Sequence, residues 1–202
     1  MRVICLDMEG VLVPEIWLGV AAKTGIEELK LTTRDIKDYD ELMRHRLKVL
    51  DAHNIKMDVI QDVIGEMGPM DGAKDFLDEL RAEAQVIILS DTFYGFAKPL
   101  MEQLGRPTLF CHYLDVADDG HIAGYRLRTT DHKTKSVNAL KELNFVTAAM
   151  GDSYNDTGMI QAAHVSAFFR SPQNVLDDFP AYPHFTDYDE AAKYLLTTEP
   201  VA

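Results

Sequence analysis

Asp7-Met8-Glu9-Gly10-Val11 and Gly151-Asp152-Ser153-Tyr154-Asn155-Asp156 each follow a short apolar run, and together they carry the carboxylates Asp7, Glu9, Asp152 and Asp156. Gathered in one place, such groups repel, so one or more must take up a proton or find a cation. Oxygen donors with no His or Cys nearby favour a hard cation, and Mg²⁺ fits best. Ser90 adds a hydroxyl donor and Lys133 an ammonium. A divalent ion, an ammonium and a hydroxyl around an open position are what a phosphoryl group requires. Asp7 can itself attack phosphorus, as in aspartyl-phosphate chemistry. Glu9, two residues on, can protonate the leaving alcohol and later deprotonate water. Asp and Ser also cap helices that follow strands, and for any single acid here that role is the alternative.

These residues meet only if the fold brings three strand ends to one edge. Val3–Leu6 ends at Asp7, Val86–Leu89 at Ser90, and Ala148–Met150 at Gly151-Asp152. Such continuous apolar runs predict strands buried on both faces of a parallel sheet. In a parallel sheet all carboxyl ends share an edge, and open α/β sheets bind ligands there. Further strands are predicted at Thr108–Phe110 and Val165–Phe169, with a hairpin over 113–127 around Asp119-Gly120. Helices are predicted over 41–50, 57–67, 71–81, 95–104, 133–143 and 156–163. Strand and helix alternate outside Pro14–Met70, where the periodicity is helical throughout. The expected class is α/β, a parallel sheet with helices on both faces and a helical insert after the first strand.

The chain has 202 residues, 47% apolar and 26% charged, which excludes disordered, collagen-like and disulfide-stapled classes. Lys plus Arg is 20 and Asp plus Glu is 33, a net charge of −13. Such a chain repels polyanions, which argues against nucleic acid or an anionic membrane as partner. The insert carries eight basic and eleven acidic residues, so it is less acidic than the rest. Cys5 lies in an apolar run and reads as a buried free thiol; Cys111 gives it no disulfide framework. After Met1-Arg2 the apolar run is only Val3–Leu6, so no secretory signal is expected, and no stretch approaches a membrane span. A cytoplasmic protein is the expectation.

Asp7-Met8-Glu9-Gly10-Val11, Ser90-Asp91-Thr92, Lys133 and Gly151–Asp156 resemble, in order and spacing, the four motifs of the haloacid dehalogenase-like phosphohydrolases. That resemblance implies a Rossmannoid core over 1–13 and 71–202, with a helical cap of the first type (C1) over 14–70. Within the superfamily the chain is similar to the phosphoserine phosphatases, in particular the bifunctional kind that also transfers phosphate to homoserine. The resemblance implies Asp7 as nucleophile, Glu9 as acid/base, and Mg²⁺ held by Asp7, the Glu9 carbonyl and Asp152. It implies Ser90, the Asp91 amide, Lys133 and Asn155 as phosphate or substrate contacts, with Asp156 supporting metal and lysine. Glu15 and Arg46 match the cap positions for the substrate's ammonium and carboxylate, chemistry that Glu and bidentate Arg can perform. Phosphoserine and homoserine are the implied small-molecule partners; a homodimer is left open.

Most phosphatases of this superfamily carry Asp where this chain has Glu9. The extra methylene shifts the carboxyl group by about a bond length or more, and misplacement on the order of 1 Å can cost roughly a hundredfold in rate. The expectation is weaker activation of water, a longer-lived phosphoenzyme, and time for homoserine to accept the phosphoryl group. Two other functions share these residues: a phosphatase for a sugar or nucleotide phosphate, and a signalling module that merely accepts phosphate on Asp. Gly68–Lys74 is one residue short of a P-loop and reads as a linker. His132 adjoins Lys133 at a possible site rim, and Trp17 either lines a pocket or packs the insert.

Overall fold

The computed structural model of the chain describes residues 1–32, 35, 36 and 38–200. Strand β1 (Arg2–Leu6) is followed by helices α1 (Ile16–Thr24), α2 (Tyr39–Ala52), α3 (Met57–Met67) and α4 (Ala73–Glu83). Then come β2 (Gln85–Phe93), α5 (Tyr94–Gln103), β3 (Thr108–Val116), β4 (Ile122–Arg126), α6 (His132–Glu142) and β5 (Val146–Gly151). The chain ends in α7 (Thr157–Ala162), β6 (Val165–Phe169), α8 (Gln173–Asp178), β7 (His184–Phe185) and α9 (Tyr188–Thr197). The strands form one seven-stranded sheet in the order β4-β3-β2-β1-β5-β6-β7. Among the described residues, only the β3–β4 pair is antiparallel.

Side chains alternate across β1, and each face meets its own core. Ile4 and Leu6 join the helices α4, α5 and α9 on one side, while Val3 and Cys5 join Val137, Met159 and Val175 from α6, α7 and α8 on the other. Full burial of a side chain such as Leu6 contributes about 1.5–3 kcal/mol. Helices thus cover both faces, as the apolar strands require. Cys5 and Cys111 are both buried free thiols, and burial pushes each thiol up to about 12.

Three expectations are corrected by the structure. Strand β2 does not stop at Leu89 but runs through the polar cluster to Phe93, because Thr92 and Phe93 are themselves buried. Between the pairs Leu89–Phe110 and Phe93–His112 the register shifts, so the polar residues form a bulge. The weak strand at 108–110 and the start of the hairpin are one continuous strand, β3. Helix α4 begins at Ala73 rather than Asp71, because Gly72 (φ +83°) takes a left-handed turn first. The 68–72 stretch is a return loop that runs into α4, tied to the turn after β1 by Met70 N donating to Leu12 O at 2.9 Å.

Candidate active site

β1, β2 and β5 lie side by side and parallel, so their carboxyl ends share one edge. Asp7 follows β1, and its amide donates to Met150 O of β5 at 2.9 Å. Its side chain is buried, and Oδ1 accepts from Met8 N at 2.7 Å and faces Lys133 Nζ at 2.8 Å. Gly10 makes the turn after β1 with φ +76°. A Cβ there would fall 2.5 Å from Asp152 Oδ2, so the two loops touch where the glycine has no side chain.

The loop after β5 is built around Asp156, which is fully buried. Its Oδ2 accepts from Asp152 N at 3.0 Å and Ser153 N at 3.1 Å, and its Oδ1 faces Lys133 Nζ at 2.7 Å. With Ser153 it forms a capping box on a short 3-10 turn, Tyr154–Asp156, that precedes α7. The expected helix over 156–163 is thus split, because the cap tightens its first turn. Capping and site roles are therefore not exclusive: Glu9 Oε2 also accepts Ile16 N, at 2.8 Å, opening α1.

One oxygen from each of Asp7, Asp152 and Asp156 lies within 4.8 Å of the others. Burial first, then the Asp156 charge, pushes the Asp7 carboxyl well above the usual carboxylate range, against Lys133. The same two causes push Asp152 up to about 7. Burial and then the Glu15 charge push Glu9 up to about 8. Lys133 is buried, but Asp156, Asp7 and Asp91 outweigh its desolvation and hold it firmly protonated. An oxygen-only cluster that resists ionisation is a place for a hard divalent cation.

On the neighbouring strand, the buried Ser90 accepts Thr92 N on Oγ at 3.2 Å, within the bulge. Burial alone would raise Asp91; Lys133 and the His112, His132 and Asn155 donors reverse that and hold it well below the carboxylate range. Asn155 Nδ2 donates to Asp91 Oδ2 at 2.9 Å, so its amide is turned to Asp91. The sequence alone gives neither histidine a chemical role. His132 is legible only as the neighbour of Lys133, and His112 only through strand register.

Helix α2 brings Arg46 to the same region. Its guanidinium lies 4.5 Å over the Trp17 ring, and Nη2 donates to Leu31 O at 2.9 Å. Nε is buried without a partner among the described residues, although buried polar groups are normally paired. Burial lowers Arg46 to about 10, with Tyr39, Glu9 and Glu15 opposing, so it stays charged at neutral pH. Glu15 is exposed just before α1. Trp17 serves both roles considered for it: it packs edge-to-face on Phe96 at 5.4 Å and floors the guanidinium. Tyr39 OH, at the start of α2, donates to Asp91 O at 3.2 Å.

A sequence model of the haloacid dehalogenase-like hydrolases matches residues 1–164. The chain belongs to the haloacid dehalogenase-like hydrolase family. As a member of that family it is 52% identical over 196 residues to phosphoserine phosphatase ThrH of Pseudomonas aeruginosa, covering 97% of this chain and 96% of the relative. It is 51% identical over 192 residues to a phosphoserine phosphatase of Pseudomonas syringae pv. tomato, covering 95% and 81%. Among solved structures, an apo phosphoserine phosphatase shares the fold at TM-score 0.78 and 22% identity, covering 96% of this chain and 98% of its own. No helix among the described residues of this hydrolase is long and apolar enough to cross a membrane.

Proposed function

We propose that this hydrolase is a Mg²⁺-dependent phosphoserine phosphatase that works through an aspartyl phosphate on Asp7 and also passes the phosphoryl group to homoserine. The observation that carries this is the buried Asp7, whose Oδ1 faces Lys133 Nζ at 2.8 Å within a cluster of three carboxylates. The substrate is supported by the two relatives at 52% and 51% identity, both named phosphoserine phosphatases.

Residues 14–70 would act as a cap on a core of 1–13 and 71–202. From the cap, Arg46 would take the substrate carboxylate, and its Nε, unpaired among the described residues, supports that role. Glu15 would accept from the ammonium. From the core, Ser90, the Asp91 amide and Lys133 would hold the phosphoryl oxygens, with Asn155 beside them. Asp7, the Glu9 carbonyl and Asp152 would hold Mg²⁺, with Asp156 in support; the donors are all oxygen, which fits that ion. When bound, Mg²⁺ supplies positive charge against the phosphoryl oxygens.

Asp7 attacks phosphorus, and the bond from phosphorus to the serine oxygen breaks. Glu9, pushed up to about 8, carries a proton at neutral pH and gives it to that oxygen. Glu9 then takes a proton from water or from the homoserine hydroxyl as that oxygen attacks phosphorus. The Asp7 carboxylate is released with phosphate or phosphohomoserine as product.

A phosphate-release screen over phosphomonoesters, with Mg²⁺ and with or without homoserine, tests this. Repeated turnover of phosphoserine is expected, with phosphohomoserine formed when homoserine is present. Asp7→Asn is expected to lower kcat by about a thousandfold or more. A single stable phosphorylation without turnover would point to a signalling module instead, and preference for a sugar or nucleotide phosphate would reassign the substrate.

A further inference from the structure

Asp91 is an anion set beside the place where an anionic ester is to bind. Its two carboxylate oxygens face different ways. Oδ2 accepts from Asn155 Nδ2 at 2.9 Å and lies 3.4 Å from Lys133 Nζ. Oδ1 faces the Nε2 atoms of His132, at 3.2 Å, and His112, at 3.5 Å. Both rings are buried and meet edge-to-face with centroids 4.7 Å apart. His112 sits on β3 opposite Phe93, just past the bulge that carries Asp91, and His132 opens α6 immediately before Lys133.

Two imidazoles and a carboxylate with ligand atoms within 4.8 Å also have the composition of a transition-metal site. The second contact of His112 argues otherwise. A metal-bound imidazole normally turns its other N–H to an acceptor. Here His112 Nδ1 itself accepts a hydrogen bond, from Arg128 N at 3.2 Å. In the neutral ring the proton is therefore on Nε2, pointing at Asp91. The His112 N–H thus points at Oδ1, while His132 sets Nε2 3.2 Å from the same oxygen with neither of its ring nitrogens hydrogen-bonded among the described residues, and the Asp91 carbonyl is held separately by Tyr39 OH at 3.2 Å.

We propose that His112 and His132 are positioning residues that grip Asp91 through Oδ1, so that Oδ2 holds Asn155 and Lys133 at the edge where the phosphoryl group binds. This rests on the phosphoryl-transfer part of the proposed function and not on the choice of phosphoserine. The two buried rings confine Oδ1 and so fix the orientation of a carboxylate that would otherwise turn and compete with the incoming phosphate.

The test is steady-state kinetics of His112→Phe, His132→Phe and His112→Gln with phosphoserine and with p-nitrophenyl phosphate, alongside Tm and zinc content. Phe keeps a ring and removes the donors; Gln restores a donor without a ring. Each Phe variant is expected to lose about tenfold to a hundredfold in kcat on both esters, with KM within about twofold. His112→Gln is expected to recover most of the loss. Should a Phe variant fail to fold, a Leu variant at the same position is taken into a cycle with Asn155→Ala. Positioning predicts that the histidine change costs less once Asn155 is gone. Unchanged kcat in folded Phe variants, or additive losses in the cycle, overturns the proposal. So does one equivalent of zinc in the wild-type protein that the variants lose. Turnover of p-nitrophenyl phosphate without turnover of phosphoserine would sink the substrate assignment alone and still test the clamp.

Discussion

A Cβ on Gly10 would stand 2.5 Å from Asp152 Oδ2, so the turn after β1 and the loop after β5 fit together only while residue 10 has no side chain. The φ of +76° adds a second reason. Gly10→Ala is expected to cost about 1–2 kcal/mol from the left-handed backbone, a fall of a few degrees in Tm for a chain of this size. Displacement of Asp152 should also lower kcat by about tenfold or more and raise the Mg²⁺ concentration needed for half activity. Thermal melts and a Mg²⁺ titration check both. A variant with wild-type Mg²⁺ dependence would show that Asp152 does not depend on this contact.

Glu9 already spends one oxygen on Ile16 N, at 2.8 Å. Glu9→Asp shortens the arm by one methylene and must give up either that cap or the reach toward phosphorus. The expected outcome is a higher share of hydrolysis over transfer to homoserine, as water is activated better. Product ratios of phosphate to phosphohomoserine measure it; an unchanged ratio removes Glu9 as the cause of transfer.

Arg46→Ala takes away the guanidinium that lies over the Trp17 ring and whose Nε has no partner among the described residues. Charge-assisted hydrogen bonds contribute roughly 1.5–3 kcal/mol, or about ten- to a hundredfold in affinity. KM for phosphoserine should rise by that order, while turnover of p-nitrophenyl phosphate, which has no carboxylate, changes little. An unmoved KM for phosphoserine would refute the amino-acid assignment.

The metal-free protein should lose stability as pH rises. Glu9 is pushed up to about 8 from 4.5, and Asp152 to about 7 from 3.8. The folded chain therefore keeps protons that the unfolded chain has already released. The stability linked to them is complete below the unfolded values and drains away as pH climbs through about 7 to 8. With a chelator present, Tm should decline between about pH 5.5 and 8.5 by this linkage. Saturating Mg²⁺ should flatten the decline, and Glu9→Gln should make it shallower. A metal-free Tm that rises across this range contradicts the protonated state of both acids.

Much of this arrangement is legible in the residues. Asp7 and Asp152 each follow an apolar run short enough to be only a buried strand, and a parallel sheet then forces them to one edge. Ser90 was legible for the same reason, although β2 continues beyond it. The environment of Asp91 was not. It depends on a register shift in β2 that sets Phe93 opposite His112, and alternation of apolar residues carries no record of a bulge. Asn155 belongs to a recognisable motif, yet its hydrogen bond to Asp91 follows from the three-dimensional meeting of two loops. The sequence predicts none of α8, β7 and α9; six and two residues are too few for the first two to display a period, whereas the ten residues of α9 could have shown one.

Helix α2 is bound to the β3–β4 hairpin near both of its ends. Tyr39 stacks edge-to-face on Tyr125 at 6.2 Å and Asp40 accepts from the Tyr125 hydroxyl, while just past the far end Lys56 Nζ donates to Asp119 O and Met57 N to Gly120 O, each at 3.0 Å. A strap buckled twice does not slide on what it holds. Any swing of the helix that carries Arg46 takes the hairpin along, so the travelling body is assembled from two separate stretches of chain.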